Sequence, residues 1–448
     1  MLLGCADSSE QAASSPPSFE QPVTNNPQVG FFAPGRVNEA FADQVDIQLY
    51  NLSTPEHFDT TLQLASAHGL KIFAAVELPA RLAEELNLTY EYKDKVYDKQ
   101  LAPFPIVKLR NSINKEVFAV SVAPYFALMK QYPGVVEALI IGDEPYLNGI
   151  SYAQLDAMAL ALRSLLDEAG LDSVKLGAVF ASAMFNAEFA QHIEAASGAY
   201  TRSIDDYFLH LQAKESKGEA AAQELQWLDV INRVRLTTYD KANNMFLGGG
   251  LPPSLDIVGF DFYFSTLLQD GVHNESLAWF AARNLHPSCE VFKKTKMTDL
   301  RESLSFWGKS LEATDVKADK NLLDAMYTCR TASALALLKE EVAASDRKAR
   351  EVLLVSESSA NGLMAFDNQG GLLPEQDMGA VKSRVVDEVR RAFDLTQHYP
   401  IDHLLFFTYE SQFDWLINLN IGGAEDIPEA LHLIYQNARR NHEPLPAN

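Results

Sequence analysis

Two segments of the sequence place acidic side chains where they could do chemistry. The apolar run Val136-Glu137-Ala138-Leu139-Ile140-Ile141-Gly142 breaks into Asp143-Glu144-Pro145-Tyr146, and Val352-Leu353-Leu354-Val355 breaks into Ser356-Glu357-Ser358-Ser359. In each, a β-rich run delivers a carboxylate to its C-terminal end, and Pro145 stops the first run. Holding a carboxylate at the end of a buried strand is costly unless the group is paired or used. A pair of carboxyls, one protonated and one ionised, is what glycoside hydrolysis requires. The acid protonates the leaving oxygen, and the anion attacks or stabilises the anomeric carbon. Taken singly, a Glu after a strand is an ordinary solvated or ion-paired residue, as Glu410 illustrates, and Glu77 reads most simply as a partner of Arg81. The joint placement of Glu144 and Glu357 is what singles them out.

The elements that must position this pair are legible as an alternation of short β-rich runs with longer segments of helical periodicity, the pattern of parallel strands with helical crossovers. Strands are expected at Val29–Ala33, Val45–Leu49, Lys71–Val76, Val136–Gly142, Val174–Phe180, Asp256–Phe262, Val352–Ser356 and His403–Thr408. Helices are expected at Pro55–Ala67, Val122–Gln131, Tyr152–Ala169, Leu322–Ala344, Gly379–Gln397 and Pro428–Arg439. Leu155, Met158, Ala159, Leu162, Leu165 and Leu166 form one apolar face of the third helix, which Gly170 ends. Eight strands fit a single α/β domain, a (β/α)8 barrel. A doubly wound sheet with a cofactor would show a Gly-rich turn after its first strand, where this sequence has Ala33-Pro34-Gly35-Arg36. Long excursions, Leu78–Ser121 and Ser265–Asn321, follow the third and sixth strands, the ends at which a barrel builds its active site. No internal repeat is present.

In this arrangement the sequence resembles the clan A glycoside hydrolases, retaining (β/α)8 enzymes whose acid/base Glu ends strand 4 and whose nucleophile Glu ends strand 7. The resemblance spans about Gly30 to Arg440 and implies Glu144 as acid/base and Glu357 as nucleophile of a β-glycosidase acting on an oligo- or polysaccharide. Where the family has Asn-Glu-Pro this chain has Asp143-Glu144-Pro145, which implies that Asp143 takes over the contact to the sugar 2-hydroxyl. The sixth strand, Asp256-Ile257-Val258-Gly259-Phe260-Asp261-Phe262-Tyr263, resembles the clan's, which makes Tyr263 or Asp261 the residue beside the nucleophile. Trp415, beyond the last strand, takes the place of a sugar platform, with Tyr146 and Tyr50 weaker candidates, because sugar rings pack apolar C–H faces on aromatics. As barrel-wall or core residues these aromatics would have ordinary structural roles. Two other functions use the same features: a glycan-binding barrel without turnover, and a lyase or isomerase using the carboxylates for proton transfer.

Composition narrows the field. The chain has 448 residues, 47% of them hydrophobic, and a formal charge of −23, which repels phosphate backbones and excludes nucleic acid as a partner. The ten histidines form neither His-x-His nor His-Glu-x-x-His, no Gly-x-Ser-x-Gly elbow occurs, and Lys71 and Lys175 sit at strand beginnings. Neither metal nor cofactor is therefore expected, and the barrel is expected to act as a monomer on carbohydrate. Met1-Leu2-Leu3-Gly4-Cys5 resembles the end of a bacterial lipoprotein signal with Cys5 as the lipidated residue, followed to Gln28 by a Ser/Pro/Ala/Gln/Asn-rich tether. Residues 1–28 are thus expected to be an anchor and tether, and 29–448 the barrel, at the cell envelope or secreted. No apolar stretch approaches the roughly 18 to 20 residues that span a bilayer, so a lipid would be the only membrane contact. Cys289 and Cys329 are either a disulfide or buried thiols.

Overall fold

Runs of Val, Ile, Leu and Phe as short as these can be buried on both faces only in a parallel sheet covered by helices. The computed structural model describes residues 26–32, 39–52, 54–75, 115–146, 152–196, 215–218, 249–262, 271–293, 313–344, 350–359, 378–414 and 419–439. Its strands are β1 (Gln28–Phe32), β2 (Ile47–Asn51), β3 (Lys71–Ala75), β4 (Val136–Asp143), β5 (Lys175–Ala181), β6 (Ile257–Phe262), β7 (Glu351–Glu357) and β8 (His403–Phe407). All eight pair in parallel and in sequence order, and β8 returns to β1 to close a barrel. The chain is a (β/α)8 barrel. Each expected strand is present, its ends displaced by no more than two residues.

The helices are α1 (Glu39–Ala42), α2 (Pro55–His68), α3 (Lys115–Gln131), α4 (Tyr152–Glu168), α5 (Ala187–Ala196), α6 (Gly271–Ala282), α7 (Ala313–Ala344), α8 (Met378–His398) and α9 (Pro428–Asn437). Helix α2 is defined by local chemistry at both ends. Thr54 Oγ1 accepts the His57 N–H, Pro55 opens the first turn, and Gly69, at φ 64°, turns its N–H back onto Ala65 and Ser66. The six expected apolar residues of α4 are all buried. Helices α3 and α7 begin earlier than expected: α3 carries Pro124 within it, and the first turns of α7 are too polar to show an apolar period. Helices α5 and α6, and a hairpin of β9 (Gln412–Asp414) with β10 (Leu419–Ile421), are additions to the expected set. Much of the two long excursions lies outside the described residues, as do Cys5, Glu77 and the tether up to residue 25. Among the described residues no helix is long and apolar enough to cross a membrane.

Alternate residues of the strands build two cores. Phe32, Leu49, Phe73, Ile140, Val179, Leu353 and Leu405 pack inside the barrel, while the opposite residues meet the helices in a larger outer core. Gly30 is where the first two strands approach most closely: a Cβ there would lie 1.6 Å from the Ile47 carbonyl oxygen, so no other residue fits. Cys289, in a short 3-10 helix (Pro287–Lys293), is disulfide-bonded to Cys329 of α7, which decides between the two expected states of these thiols. Closing a loop of 40 residues restricts the unfolded chain by about 4 kcal/mol.

The N-terminal end of the barrel is sealed by charge. Lys175 Nζ lies 3.1 Å from Glu137 and 2.7 Å from Glu351, His403 Nε2 is 2.8 Å from Glu351, and Gln28 donates to Glu137 at 3.2 Å. The hydrogen bond from His403, followed by that from Lys175, lowers the pKa of Glu351 to about 2. Because the folded value is below the usual one near 4.5, the stability gained is present above that pH and is lost as pH falls through about 2. Glu351→Gln should therefore cost about 1–2 kcal/mol at pH 7, allowing for the half-exposed position, and should flatten the acid limb of a stability curve measured by urea unfolding from pH 7 to 2. An acid limb unchanged from wild type would contradict this assignment.

Candidate active site

At the opposite end of the barrel, β4 is irregular. Ile140 pairs with Gly177 but Asp143 pairs with Val179, so three residues of β4 span two of β5, a bulge. The extra residue brings Asp143 level with inward-facing Val179, at the rim, where it reaches solvent. Glu144 follows with φ 44°, a left-handed conformation that costs a non-glycine residue roughly 1–2 kcal/mol, and its N–H is tied to the Val179 carbonyl at 2.7 Å. Strain of this kind persists where the surrounding structure over-determines it, and it gathers at functional sites.

Strand β6 alternates Val258, Phe260 and Phe262 outward with Ile257, Gly259 and Asp261 inward. Asp261 is 1% exposed. Its Oδ1 accepts the Ser182 N–H at 3.4 Å, and no N–H or O–H among the described residues reaches Oδ2. The carboxyl of Glu144 is near enough to act on it. Two carboxylates so placed repel each other when both are ionised, which favours a proton on one of them. On β7, Leu353 and Val355 face inward and Glu357 is the next inward residue, also 1% exposed. Asp261 pairs with Val355, so Glu357 stands one inward step further along the neighbouring strand. Ser358 fixes the end of β7 by donating its N–H to Phe407 and its hydroxyl to the Thr408 carbonyl.

The mouth is thus rich in acid, and its electrostatics reflect that. Although Asp143 reaches solvent at its edge, the protein packed around it removes much of its hydration and, reinforced by the charge of Asp261, raises its pKa to about 7. Burial likewise raises Asp261 to about 6, opposed by the hydrogen bond from Glu144, the Ser182 N–H and the charge of Arg330. Arg330 and Tyr327 belong to α7 and lie behind the mouth, where burial, with the charges of Glu388 and Glu357, raises the Tyr327 pKa. Neither was expected from the sequence, whose only signal was one charge in the stretch Met326–Leu338. Among the described residues, the cluster with metal-like spacing is Glu137, Glu351 and His403 at the sealed end, where the Lys175 ammonium already bridges the two acids.

The expected substrate contacts divide. Asp143 lies at the rim, open to a ligand, and Asp261 is buried near the Glu144 carboxyl. Tyr146 is a correction: it is 1% exposed, its hydroxyl donates to the Gly250 carbonyl at 2.7 Å and its ring lies beside Phe180, so it anchors the turn after β4 and offers no face to a sugar. Tyr50 is another, since it is buried in the outer core with its ring stacked on Phe58 of α2. Tyr263 and Trp415 lie outside the described residues. Glu410 is exposed, as a surface residue should be.

A raised folded pKa works in the opposite sense to that of Glu351. The stability associated with neutral Asp143 is present below its ordinary value of 3.8 and is lost as pH rises through about 7. Asp143→Asn should therefore raise stability at pH 8 by about 1 kcal/mol, a figure reduced for solvent screening at the rim, and change it little at pH 4. Urea unfolding at the two pH values checks this, and an equal effect at both would refute it.

No family model matches the sequence, and no curated protein matches it. Solved structures that are similar to the chain include the virulence factor SghA in complex with its substrate analogue salicin, at 11% identity and a TM-score of 0.40, covering 89% of this chain and 83% of that one. The catalytic domain of the Bacillus sp. JAMB-750 GH26 endo-β-1,4-mannanase is similar at 11% identity and a TM-score of 0.35, covering 90% and 80%. A β-glucosidase from Exiguobacterium marinum is similar at 11% identity and a TM-score of 0.34, covering 90% and 86%.

Proposed function

We propose that the chain is a glycoside hydrolase that cleaves β-glycosidic bonds of an oligo- or polysaccharide with retention. The observation that carries the reading is the placement of Glu144, just beyond β4, and the buried carboxyl of Glu357, at the end of β7, at the same barrel mouth. Glu144 gives its proton to the leaving oxygen as the glycosidic bond breaks, while Glu357 attacks the anomeric carbon to form a covalent glycosyl-enzyme. Water then displaces Glu357, returning a proton to Glu144. Such a mechanism sets the two carboxyls about 5 to 5.5 Å apart, whereas an inverting one needs roughly 6.5 to 9.5 Å. Asp143, Tyr263 and Trp415 are the proposed sugar contacts. The Cys289–Cys329 disulfide supports an oxidising compartment, cell envelope or secreted, with Cys5 as the proposed lipid anchor. A glycan-binding barrel without turnover is the second reading, favoured by Asp143 where clan A has Asn.

The two carboxyls should fail differently. Glu357→Ala should lose nearly all hydrolysis. Glu144→Ala should lose about 100- to 10,000-fold on unactivated glycosides but keep measurable turnover on aryl glycosides whose leaving groups need no proton. Azide should accelerate Glu144→Ala and yield a β-glycosyl azide, and any azide product of Glu357→Ala should have the opposite anomeric configuration. Near-wild-type rates in both variants would refute the assignment, and ligand binding without new reducing ends would favour the second reading. Membrane fractionation tests the anchor: a Cys5→Ser variant should move to the soluble fraction, and unchanged partition would exclude lipidation at Cys5.

A further inference from the structure

Cationic and anionic residues are distributed unevenly along the eight strands. The basic ones are Lys71, Lys175 and His403, each the first residue of its strand and so at the floor. The acids toward the opposite ends are Asp143, Asp261 and Glu357, with Glu144 just beyond β4. Register gathers these acids. Asp143 is level with Val179 and Val179 with Gly259, and Asp261 is the next inward residue after Gly259, so Asp143 and Asp261 lie in neighbouring layers on alternate strands. Glu357 is the next inward residue after Val355, the partner of Asp261. Arg330 stands behind the wall, its guanidinium carbon 4.3 Å from the ring centroid of outward-facing Phe262.

A second observation concerns donors as well as charge. Asp261 is 1% exposed and faces inward, yet among the described residues its Oδ2 has no hydrogen-bond partner. Ser182, whose N–H serves the other oxygen, has a fully buried hydroxyl that finds no partner there either. A buried carboxylate oxygen in this state is costly unless a ligand brings the donor. A sugar hydroxyl or acetamide brings one donor, whereas an ammonium brings three, with a positive charge and no acceptor. The spacing that would suit a metal occurs, among the described residues, at the floor and not at this rim.

Resting on the glycosidase reading above, we propose that the ring held between Glu144 and Glu357 is a 2-amino sugar in its ammonium form, bound by Asp143 at the rim and by Asp261 within. The glycosidic oxygen lies at Glu144, and the amine is on the ring carbon next to the one that bears this oxygen, which sets it beside the residue adjoining Glu144. That residue, Asp143, reaches solvent and meets the ligand first. Burial, with the charge of Asp261, favours neutral Asp143, and a bound ammonium reverses the preference. A uronate would add another negative charge at the same place, so acidic sugars are selected against.

Initial rates on nitrophenyl β-glycosides read the preference, with the amino sugar, its N-acetyl derivative, the parent sugar and the uronate compared in the gluco and galacto series at a pH where the amine is protonated. In the better series the amino glycoside should exceed the parent glycoside about tenfold or more in kcat/KM, with the uronide the poorest. That margin should shrink as salt is raised. In Asp143→Asn the amino glycoside should lose about tenfold or more while the parent glycoside stays within about threefold, because asparagine keeps the shape and loses the charge. Asp143→Ser serves should Asp143→Asn unfold, and Asp261→Asn should narrow the same margin. A margin that is absent or indifferent to salt, or equal losses on both substrates, would overturn the proposal. Calorimetric titration with β-linked oligomers of glucosamine and of glucose separates this proposal from the hydrolase reading. If the glucosamine oligomer binds more tightly in an Asp143-dependent way but no glycoside is cleaved, the hydrolase reading fails alone. If parent glycosides are cleaved as fast as amino glycosides, or no amino sugar of either series is bound or cleaved, the amino-sugar assignment fails.

Discussion

A parallel sheet of eight short strands has an unpaired edge on each side unless its first and last strands meet, and here Gln28–Phe31 of β1 meets His403–Phe406 of β8. Closure imposes everything else. It requires a backbone approach at Gly30 that admits no side chain, and it divides the strand residues into an inner column and an outer surface that the helices cover. It also directs all eight C-terminal ends to one rim. Asp143 ends β4 with Glu144 just beyond it, Asp261 is the last inward residue of β6 and Glu357 ends β7, so residues far apart in sequence reach one rim.

The two ends of this barrel are built on opposite electrostatic terms. At the sealed end each acid has a cation, and the ionised forms are favoured, so neutral pH stabilises it. At the open end acids face acids, and burial without enough donors favours the protonated forms. A fold selected for stability alone would not gather four carboxyls at one rim or set a Glu in a left-handed conformation. The compensation sits elsewhere in the same chain: the floor network, the disulfide and the outer core hold a frame within which the mouth can be poorly satisfied.

How much of this was legible in the sequence follows from which signals are local. Strand alternation and the apolar face of α4 are local, and both were read correctly. The carboxyls at 144 and 357 stand out in the sequence because they lie at strand ends, and the structure places both there, Glu144 just beyond β4 and Glu357 at the end of β7. The bulge in β4 does not stand out, since an extra residue in one strand is defined only by its partner. Tyr146 follows a strand end and reads as a cleft residue, but its hydroxyl finds a carbonyl 104 residues away, a contact no spacing announces. The meeting of Asp261 with Glu144 depends on β4 and β6 ending at one rim, and the contact of Arg330 with Phe262 on how α7 packs against the barrel wall. A helical arginine among apolar neighbours signals only that some counter-charge exists.

The floor also determines how the cavity exchanges its contents. Lys175 bridges Glu137 and Glu351, His403 braces Glu351 with Phe73 edge-on at 5.0 Å, and the inner side chains fill the space above. Among the described residues this end is filled, which leaves the opposite rim for a ligand to arrive and depart. Under the hydrolysis proposed above, a departing product and an incoming substrate would compete for that one passage, so product release as well as carboxyl chemistry sets the rate.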